Sequence, residues 1–458
     1  MKVVICGAGE VGSNIARYLA SENNNVTVVD QSAELIQRLT ESLDVAGLVG
    51  HASQPDILEQ AGIEDADMII AVTFTDEVNM IACQVAHSLF DVPMKIARIR
   101  SQSYLQPEWM KMFSRDHLPI DVVISPEVEV ARAVTRRLEV PGAMEVIPLS
   151  DDKVRLIGVR ITDDTPLINT PLRQLTSLFP EMQIIVVGIK RGDASIVPHA
   201  EDEMLAGDDV YFVVASDQCE RAMAAFGHEE TEVRRCIIFG GGNIGLFLAE
   251  ALEREHKEIR VKIIEIDRNR AEYVSATLSN TVVINGDILD PDILLEAGVD
   301  RAETIVAVTD NDENNILASI LAKKCGAQRA ITLINKATYN PLMGPLGVDV
   351  VVNPRSITVS QILSYVRRGR VHSVYSVQED FGELIEADAL ETSSLVGQPL
   401  RDVDLPINTR FGAILRDGQI IVPRPTTVVH GGDRIVLFAA TESVREVEKL
   451  FSVRLEYF

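Results

Sequence analysis

Short runs of aliphatic, often β-branched residues alternate along the first third of the chain with segments whose apolar positions recur at helical spacing. The runs KVVIC, NVTVVD, MIIAVT, KIARIR and DVVIS predict short buried strands. Between them, GSNIARYLAS, AELIQRLTES, DILEQAG and EVNMIACQVAHSLF predict helices. Because strands that alternate with helices form βαβ units, the fold class is α/β, with a parallel, doubly wound sheet of Rossmann type.

The same pattern returns in the second half of the chain. The repeat is visible as aligned segments, which pair 3–12 with 236–245, 55–80 with 291–316, 120–126 with 348–354, 167–175 with 395–403, and 205–216 with 430–441. The last two pairs differ in character from the first three, since they carry turn signals such as the Gly-Asp pairs at 207–208 and 432–433. The chain therefore contains a duplicated plan.

Four modules follow from this duplication, in the order large, small, large, small. The small modules predict compact α+β units with hairpins rather than further Rossmann sheets. The predicted domains are 1–140, 141–228, 229–368 and 369–458, so that two Rossmann-like domains alternate with two small α+β domains.

A glycine fingerprint directly follows the first strand and opens the first helix. Gly7 permits a tight turn, Gly9 lets a pyrophosphate approach the backbone, and Gly12 allows close packing of helix and strand. Asp30 ends the next strand, where a carboxylate can accept hydrogen bonds from both ribose hydroxyls and repel a 2′-phosphate. The pattern favours NAD or an adenine nucleotide over NADP. The candidate ligand-binding residues of this loop are Gly7, Ala8, Gly9, Glu10, Val11 and Gly12.

The second copy repeats the fingerprint and its acidic residue. Glu265 stands where Asp30 stands in the first copy; Asp267 lies nearby, but the alignment of VTVVD with VKIIE favours Glu265. The alternative, that such loops only make close turns, is weakened by the strand–helix context and by the duplication. The candidate residues of the second loop are Gly240, Gly241, Gly242, Asn243, Ile244 and Gly245.

Further ligand contacts are expected at the carboxyl ends of the strands, where open α/β sheets bind their ligands. His51 and Asp287 follow the third strands and could border an adenine, although a surface turn is an equally good interpretation of each. The residues that end the fourth strands, closest to a pyrophosphate, are Thr73, Phe74, Thr309 and Asp310.

Arg98 and Arg100 are two residues apart at the end of the fifth strand, so they share one face and could meet phosphate charge. A solvated strand end is the alternative. Leu333 and Asn335 replace them in the second copy, and we therefore expect the first site to tolerate a more highly charged phosphate group. Glu10 complicates this expectation, because a carboxylate in the loop repels phosphate unless it turns away or shares a cation.

Composition narrows the classes of partner. The 458 residues carry a formal net charge of −25, which argues against a nucleic-acid partner and against adhesion to anionic lipid. No stretch is long and apolar enough for a membrane span, the early glycines argue against a signal peptide, and five scattered cysteines fit a reducing cytoplasm. With no cluster of metal-ligand spacing, no metal site is expected.

No catalytic residues are assigned. His199 and His430 lie on turn-like stretches of the small modules without a partner at relay spacing. Duplicated binding without chemistry favours a sensor over an enzyme. The alternative is an NAD-dependent oxidoreductase with a substrate pocket between large and small modules. A redox-sensing repressor is disfavoured by the acidic charge and by the absence of a DNA-binding motif.

The whole chain resembles the TrkA family, the peripheral regulatory proteins of bacterial Trk potassium uptake, which belong to the RCK or KTN group. The resemblance rests on MKVVICGAGEVG, on ILEQAGIEDADMIIAVT, DEVNMIACQVAHSLF, ARIRS and GGGNIG, and on TDNDENN at 309–315. It implies RCK N-terminal domains that alternate with TrkA-C domains.

The resemblance further implies binding of NAD(H) and of ATP or ADP at the two glycine loops and at Asp30, Glu265, Thr73 and Thr309. Arg98 and Arg100 are further candidates for the same ligands. It also implies a homo-oligomer, commonly a tetramer, docked at the inner face of the cell membrane beneath a TrkH-like potassium-translocating subunit. Some relatives carry Arg in the loop where this chain has Glu10, which leaves open how a third phosphate is handled.

Overall fold

A computed structural model describes residues 1–21, 23–106, 108–179, 182–192, 194–366, 371–377 and 381–451. The chain divides into two compact units. The first unit comprises residues 1–129 and 354–363, and the second contains the described part of 130–353 and 364–458. The predicted join between residues 368 and 369 lies outside the described residues, and the predicted domain boundaries stay predictions.

The first unit contains a six-stranded parallel sheet. Its strands are β1 (Lys2–Cys6), β2 (Asn25–Asp30), β3 (Ala46–Val49), β4 (Met68–Ala71), β5 (Met94–Arg98) and β6 (Val122–Ile124). The helices of this stretch are α1 (Glu10–Ser21), α2 (Ala33–Ser42), α3 (Pro55–Gln60), α4 (Asp76–Phe90), α5 (Gln102–Leu105) and α6 (Pro126–Glu139).

The strand order is β3-β2-β1-β4-β5-β6. The chain first adds strands on one side of β1 and then, from β4 onward, on the other side, so the switch in strand order lies between β1 and β4. Every residue of β4 is buried, as are four of the five residues of β1, because helices cover both faces of the sheet. The carboxyl ends of β1 and β4 therefore frame the crevice in which ligands of such sheets bind.

An antiparallel sheet follows in the second unit. Its strands are β7 (Glu145–Leu149), β8 (Val154–Arg160), β9 (Ile185–Arg191), β10 (Ala194–Ile196) and β11 (Asp209–Ala215), in the order β10-β9-β11-β8-β7. The helices α7 (Leu175–Leu178) and α8 (Cys219–Ala225) belong to the same stretch. The mixture of hairpins with short helices confirms the α+β character predicted for the small module.

The second parallel sheet repeats the first. It contains β12 (Arg235–Phe239), β13 (Arg260–Glu265), β14 (Val282–Asn285), β15 (Thr304–Ala307), β16 (Arg329–Leu333) and β17 (Val350–Val352), in the order β14-β13-β12-β15-β16-β17. The helices are α9 (Asn243–Glu255), α10 (Arg268–Thr277), α11 (Pro291–Ala297), α12 (Asp312–Lys324), α13 (Asn340–Met343) and α14 (Pro354–Val366).

The last sheet is again antiparallel. Its strands are β18 (Val371–Val377), β19 (Gly382–Asp388), β20 (Thr409–Arg416), β21 (Gln419–Ile421) and β22 (Arg434–Ala440), in the order β18-β19-β22-β20-β21, with α15 (Val444–Leu450) after them. Residues of both antiparallel sheets share one buried cluster in the second unit, in which the Phe381 ring lies 5.3 Å from Tyr211 and 5.2 Å from Phe438. The duplicated α/β fold is confirmed.

Two strands are shorter than the sequence predicts. β4 ends at Ala71 rather than at Thr73, and β5 ends at Arg98 rather than at Arg100. The first residue beyond each strand still bonds to a neighbouring strand, Val72 to Cys6 and Ile99 to Ile124. The next residue is held by a side chain, because Asn79 binds Thr73 and Asp76 binds Arg100. The residues after both strands consequently form loops at the ligand-binding edge.

Among the residues that the structure describes, every helix falls short of the length and apolar character that crossing a bilayer requires.

Candidate functional site

The first glycine loop is built as its fingerprint predicts. Gly7 has φ +113°, a left-handed conformation that favours glycine. A Cβ at Gly12 would lie 1.8 Å from the carbonyl oxygen of Gly7, so helix α1 can approach β1 only without a side chain there. A Cβ at Gly9 would meet no protein atom within 4 Å. Gly7 and Gly12 are thus required by the fold, whereas Gly9 faces open space.

The carboxylate of Asp30 holds this loop from the end of β2. One oxygen accepts a hydrogen bond from the amide of Ala8 at 2.6 Å, and the other accepts from the amide of Ser32 at 2.8 Å. Each carboxylate oxygen has a second lone pair, so these bonds still allow Asp30 to accept hydrogen bonds from a ribose. Asp30 therefore has a structural role in addition to the predicted ligand role.

An asparagine organises the residues after β4. The Asn79 Oδ1 accepts from the amide of Thr73 at 2.9 Å and from its hydroxyl at 2.7 Å. The Asn79 amide group donates to the carbonyl oxygen of Arg98 at 2.9 Å. The carboxylate of Asp76 accepts from the amides of Arg100 and Ser101. Two side chains of α4 thereby join the ends of β4 and β5 beside the glycine loop.

Arg98 and Arg100 converge on one carboxylate, although Arg100 lies in the loop beyond β5 and not on the strand that was predicted to align the two residues. Glu127 Oε1 lies 3.4 Å from Arg98 Nη2 and 3.2 Å from Arg100 Nε. Burial lowers the pKa of Arg98 from its ordinary value, although Glu127 opposes that shift. The Nε of Arg98 is buried without a hydrogen-bond partner, as is Glu127 Oε2. Buried donors are nearly always paired, so this Nε is an exception, and it lies out of contact with solvent.

These elements enclose a cavity of about 430 Å³ in the first unit. Of the predicted residues, Ala8, Gly12, His51 and Arg100 are outside its lining. Arg100 instead places its guanidinium 4.7 Å from the centre of the Phe74 ring. The predicted residues that line the cavity are Gly7, Gly9, Glu10, Val11, Asp30, Thr73, Phe74 and Arg98.

Several lining residues were missed by the sequence analysis. The apolar residues Val29, Leu35, Ala52 and Val78 line part of the cavity. Their apolar character looks like core packing in a sequence. The sequence does contain an indication of the residues that hold the strand ends. Both fourth helices begin with a similar acidic segment, DEVN at 76–79 and DENN at 312–315, and the first of these contains Asp76 and Asn79.

The second glycine loop has the same backbone design. Gly240 has φ +104°, and a Cβ at Gly245 would lie 2.0 Å from the Gly240 carbonyl oxygen. Glu265 accepts from the amide of Gly241 at 2.6 Å and from that of Asp267 at 2.8 Å. Asp267 itself caps helix α10 by accepting from the Arg270 amide. Glu265, rather than Asp267, thus occupies the position of Asp30.

The strand ends beside the second loop also follow the first copy. Asn315 Oδ1 accepts from the amide of Thr309 at 2.9 Å and from its hydroxyl at 2.6 Å, as Asn79 does for Thr73. Asp310 is exposed. Asn243 begins α9 where Glu10 begins α1, so the second loop lacks the acidic side chain of the first.

Arg270 is a feature of the second site that the sequence analysis missed. Its Nε donates to the carbonyl oxygen of Gly241 at 2.7 Å, and its Nη2 donates to Asn243 Oδ1 at 3.2 Å. Leu35, which lines the first cavity, has the corresponding place five residues after Asp30. The second loop therefore has a cation of its own, from helix α10 instead of the fifth strand.

The remaining candidates lie in turns. The ring Nδ1 of His51 is 2.8 Å from the Ser53 hydroxyl, and Asp287 accepts from the amide of Leu289 at 2.8 Å. Within the part of the chain that the structure describes, no three His, Cys, Asp or Glu side chains form a group that could hold a metal ion.

The arrangement of the first site fits a phosphorylated nucleotide. An open backbone position at Gly9 and the free N–H groups at the start of α1 suit a phosphate, and the positive charge of Arg98, which lines the cavity, suits further negative charge. Asp30 suits ribose hydroxyls, while the apolar walls suit a planar base. Binding, rather than bond making, is what these groups can do.

Comparison with known families covers most of the chain. The TrkA-N domain matches residues 3–126 and 236–354, and the TrkA-C domain matches residues 156–227 and 384–452. The Trk system potassium uptake protein TrkA of Azorhizobium caulinodans is 52% identical over 458 residues, which is 100% of both chains. The protein of the same name from Halomonas elongata is 40% identical, also over 100% of both chains.

Solved structures share the fold. The RCK domain of GsuK aligns with a TM-score of 0.62 at 18% identity, covering 98% of this chain and 94% of the other. The GsuK channel bound to NAD aligns with a TM-score of 0.61 at 18% identity, covering 98% and 78%.

The relatives are named for a potassium uptake system and not for an oxidoreductase, so family membership favours a non-enzymatic role over the dehydrogenase alternative. Both domain families occur twice, in the order that the repeat predicts. The chain belongs to the TrkA family of Trk system potassium uptake proteins.

Proposed function

We propose that this chain is the cytoplasmic nucleotide-sensing regulatory subunit of a Trk-type potassium uptake system. It binds NAD(H) and ATP or ADP at its two glycine loops, and it gates a TrkH-like potassium-translocating membrane subunit. It works as a homo-oligomer, a tetramer by family resemblance, attached peripherally to the inner face of the cell membrane through that partner.

One observation carries the proposal: a cavity of about 430 Å³ is lined together by a phosphate-type glycine loop, by Asp30 and by Arg98, in a member of the TrkA family. Solved relatives in fold support the ligand classes, since GsuK is described bound to NAD and bound to ADP. The nucleotide is a ligand here and supplies no chemistry. Asp30 binds its ribose, the amides of the loop its diphosphate, and Arg98 its excess negative charge.

Gating follows from linkage. A ligand shifts a channel between closed and open states only through different affinities for the two states. A shift from 1:99 to 99:1 requires about 5.5 kcal/mol of differential binding. Each chain has two glycine loops, and an oligomer contains several chains. The required differential binding free energy is therefore shared among many sites, and each site contributes only a small part of it.

Glycine variants test the binding step. Gly9→Ala and Gly242→Ala each add a methyl group that meets no protein atom within 4 Å, so the fold is preserved while the phosphate position is filled. We expect each variant to lose one NADH site per chain in calorimetric titration, with at least about tenfold weaker binding there, the effect of about 1.4 kcal/mol. The double variant should bind none.

The result has a direct functional counterpart. Potassium uptake by cells that depend on the membrane subunit should lose its response to nucleotide in the double variant. Unaltered NADH and ATP binding by the folded double variant would contradict the proposal. Turnover of a nicotinamide cofactor by the wild-type protein would favour the oxidoreductase instead.

A further inference from the structure

Helix α14 of the second repeat brings a cation to the glycine loop of the first. Residues 354–363 of this helix belong to the first unit. Arg355 Nη1 lies 2.9 Å from Glu10 Oε2. Glu10 is the first residue of helix α1 and lines the cavity. The acidic residue that complicates phosphate binding in the sequence is therefore paired with an arginine from a distant part of the chain.

The pair is particular to the first site. In the repeat alignment Arg355 corresponds to Glu127, and Glu10 corresponds to Asn243. Both positions thus differ in charge between the two copies. If the ion pair only stabilised the fold that the two copies share, it would be found in both copies. Because it is found only at the first site, we assign it a role in what that site binds.

The two partners are held very differently. The Glu10 side chain is 71% exposed, whereas that of Arg355 is 20% exposed. Because an ion pair with so exposed a partner contributes little to stability, the carboxylate can leave at small cost. The guanidinium stays near the start of helix α1, where its positive charge also attracts other anions.

A phosphate is the anion that the site itself supplies. A phosphate at the glycine loop lies at the start of α1, where Glu10 begins, and two neighbouring anions repel each other. Arg355 can relieve this repulsion by exchanging the carboxylate for the phosphate. A terminal phosphate carries up to two negative charges, while each diester phosphate of NAD carries one, so the exchange favours a nucleoside polyphosphate.

We propose that Arg355 binds the terminal phosphate of a nucleoside di- or triphosphate at the first site, and that Glu10 occupies its guanidinium until that phosphate displaces it. This rests on the proposed function, since it requires nucleotide binding at the first loop. Arg355 then sets the preference of this site for ATP or ADP over NAD(H). The start of α14 responds to the ligand through the same exchange.

Affinities measured in the full-length Gly242→Ala background, where only the first loop binds, test this inference. Arg355→Gln should weaken ATP and ADP binding by about tenfold or more, as expected for loss of a charge-assisted hydrogen bond, and NADH binding by less than about threefold. Glu10→Gln should strengthen ATP binding, because it removes both the repulsion and the competitor. Arg355→Lys should retain part of the ATP affinity.

Arg17→Gln is the matched control, since Arg17 is exposed on the same helix as Glu10. It should change no affinity, and equal thermal unfolding temperatures should show that the variants are folded. If the Gly242→Ala protein binds no nucleotide at all, the proposed function fails at this site. If it binds ATP and Arg355→Gln binds ATP equally well, or loses ATP and NADH to the same extent, the assignment of Arg355 is wrong.

Discussion

At the scale of single residues, three glycines of one loop have three different physical roles. Gly7 provides a left-handed turn, Gly12 provides contact between helix and strand, and Gly9 leaves space open to the cavity. The fingerprint in the sequence predicts a different role for each position. The atoms around each glycine give the geometry that its predicted role requires.

A stability measurement checks this division. Gly12→Ala should destabilise the protein by about 3 kcal/mol, because its methyl group would overlap the Gly7 carbonyl oxygen and force backbone to move. Gly9→Ala, the control, should change the unfolding free energy by less than about 0.5 kcal/mol. Urea titrations measure the unfolding free energies of the two variants and of the wild type. Equal stability of both would mean that α1 is not packed against the loop as described.

At the scale of elements, each small module secures its Gly-Asp turn to a neighbouring strand. Asp433 is buried, and its carboxylate accepts from Arg416 Nε and Nη2, both at 2.8 Å, at the end of β20. Asp208 makes the equivalent pair with Arg191 at the end of β9. The aspartate of each Gly-Asp turn thus also forms a bidentate ion pair with an arginine.

This pair predicts a pH dependence. Burial alone would raise the pKa of Asp433, but hydrogen bonds from Arg416 and from the His430 amide lower it below its ordinary value. A lowered pKa in the folded state contributes stability above about pH 4, and that contribution is lost as the pH falls through the folded value. Asp433→Asn should therefore cost about 1.5 kcal/mol at neutral pH, as expected for loss of hydrogen bonds to a charged group whose partner is partly exposed.

The difference in unfolding free energy between wild type and Asp433→Asn should shrink as the pH falls below about 4. Urea titrations across this range measure it. Asp417→Asn, at the exposed tip of the β20–β21 hairpin, is the control and should behave as wild type. A difference that stays constant with pH would show that the carboxylate charge is unimportant.

At the scale of the whole molecule, duplication has produced two loops with one backbone design and different charges. The first has Arg98, Arg355 and Glu10 beside it, whereas the second has Arg270 and Asn243. The expectation that the first site accepts a more highly charged phosphate group remains a prediction. It now rests on more groups than the substitution of Arg98 and Arg100 alone.

The single-site variants test this asymmetry in the intact chain. Gly242→Ala, which leaves the first site, should show a higher ratio of ATP affinity to NADH affinity than Gly9→Ala, which leaves the second. The reason is the added positive charge of Arg98 and Arg355 at the first site, since the second copy has Leu333 in the place of Arg98 and no counterpart of the Arg355–Glu10 pair. Equal ratios in the two variants would sink the prediction.

Much of the architecture could be predicted from the sequence. The repeat, the alternation of parallel and antiparallel sheets, the glycine loops and the position of Asp30 at the end of β2 all depend on local spacing. The ends of β4 and β5 could not, because Asn79 and Asp76 from a following helix hold the residues beyond them. Apolar walls such as Leu35 and Val78 are indistinguishable from core residues until the cavity is seen.

The sequence by itself determined the duplicated α/β plan, the two phosphate-type loops and the acidic residue beside each. Periodicity, glycine requirements and strand ends are properties of neighbouring residues, and these are what a sequence records. Only the tertiary structure decided that Glu127 joins Arg98 and Arg100, that Arg270 reaches the second loop, and that Arg355 reaches Glu10. Partners far apart along the chain meet through packing, and the charge that a phosphate would encounter depends on those meetings.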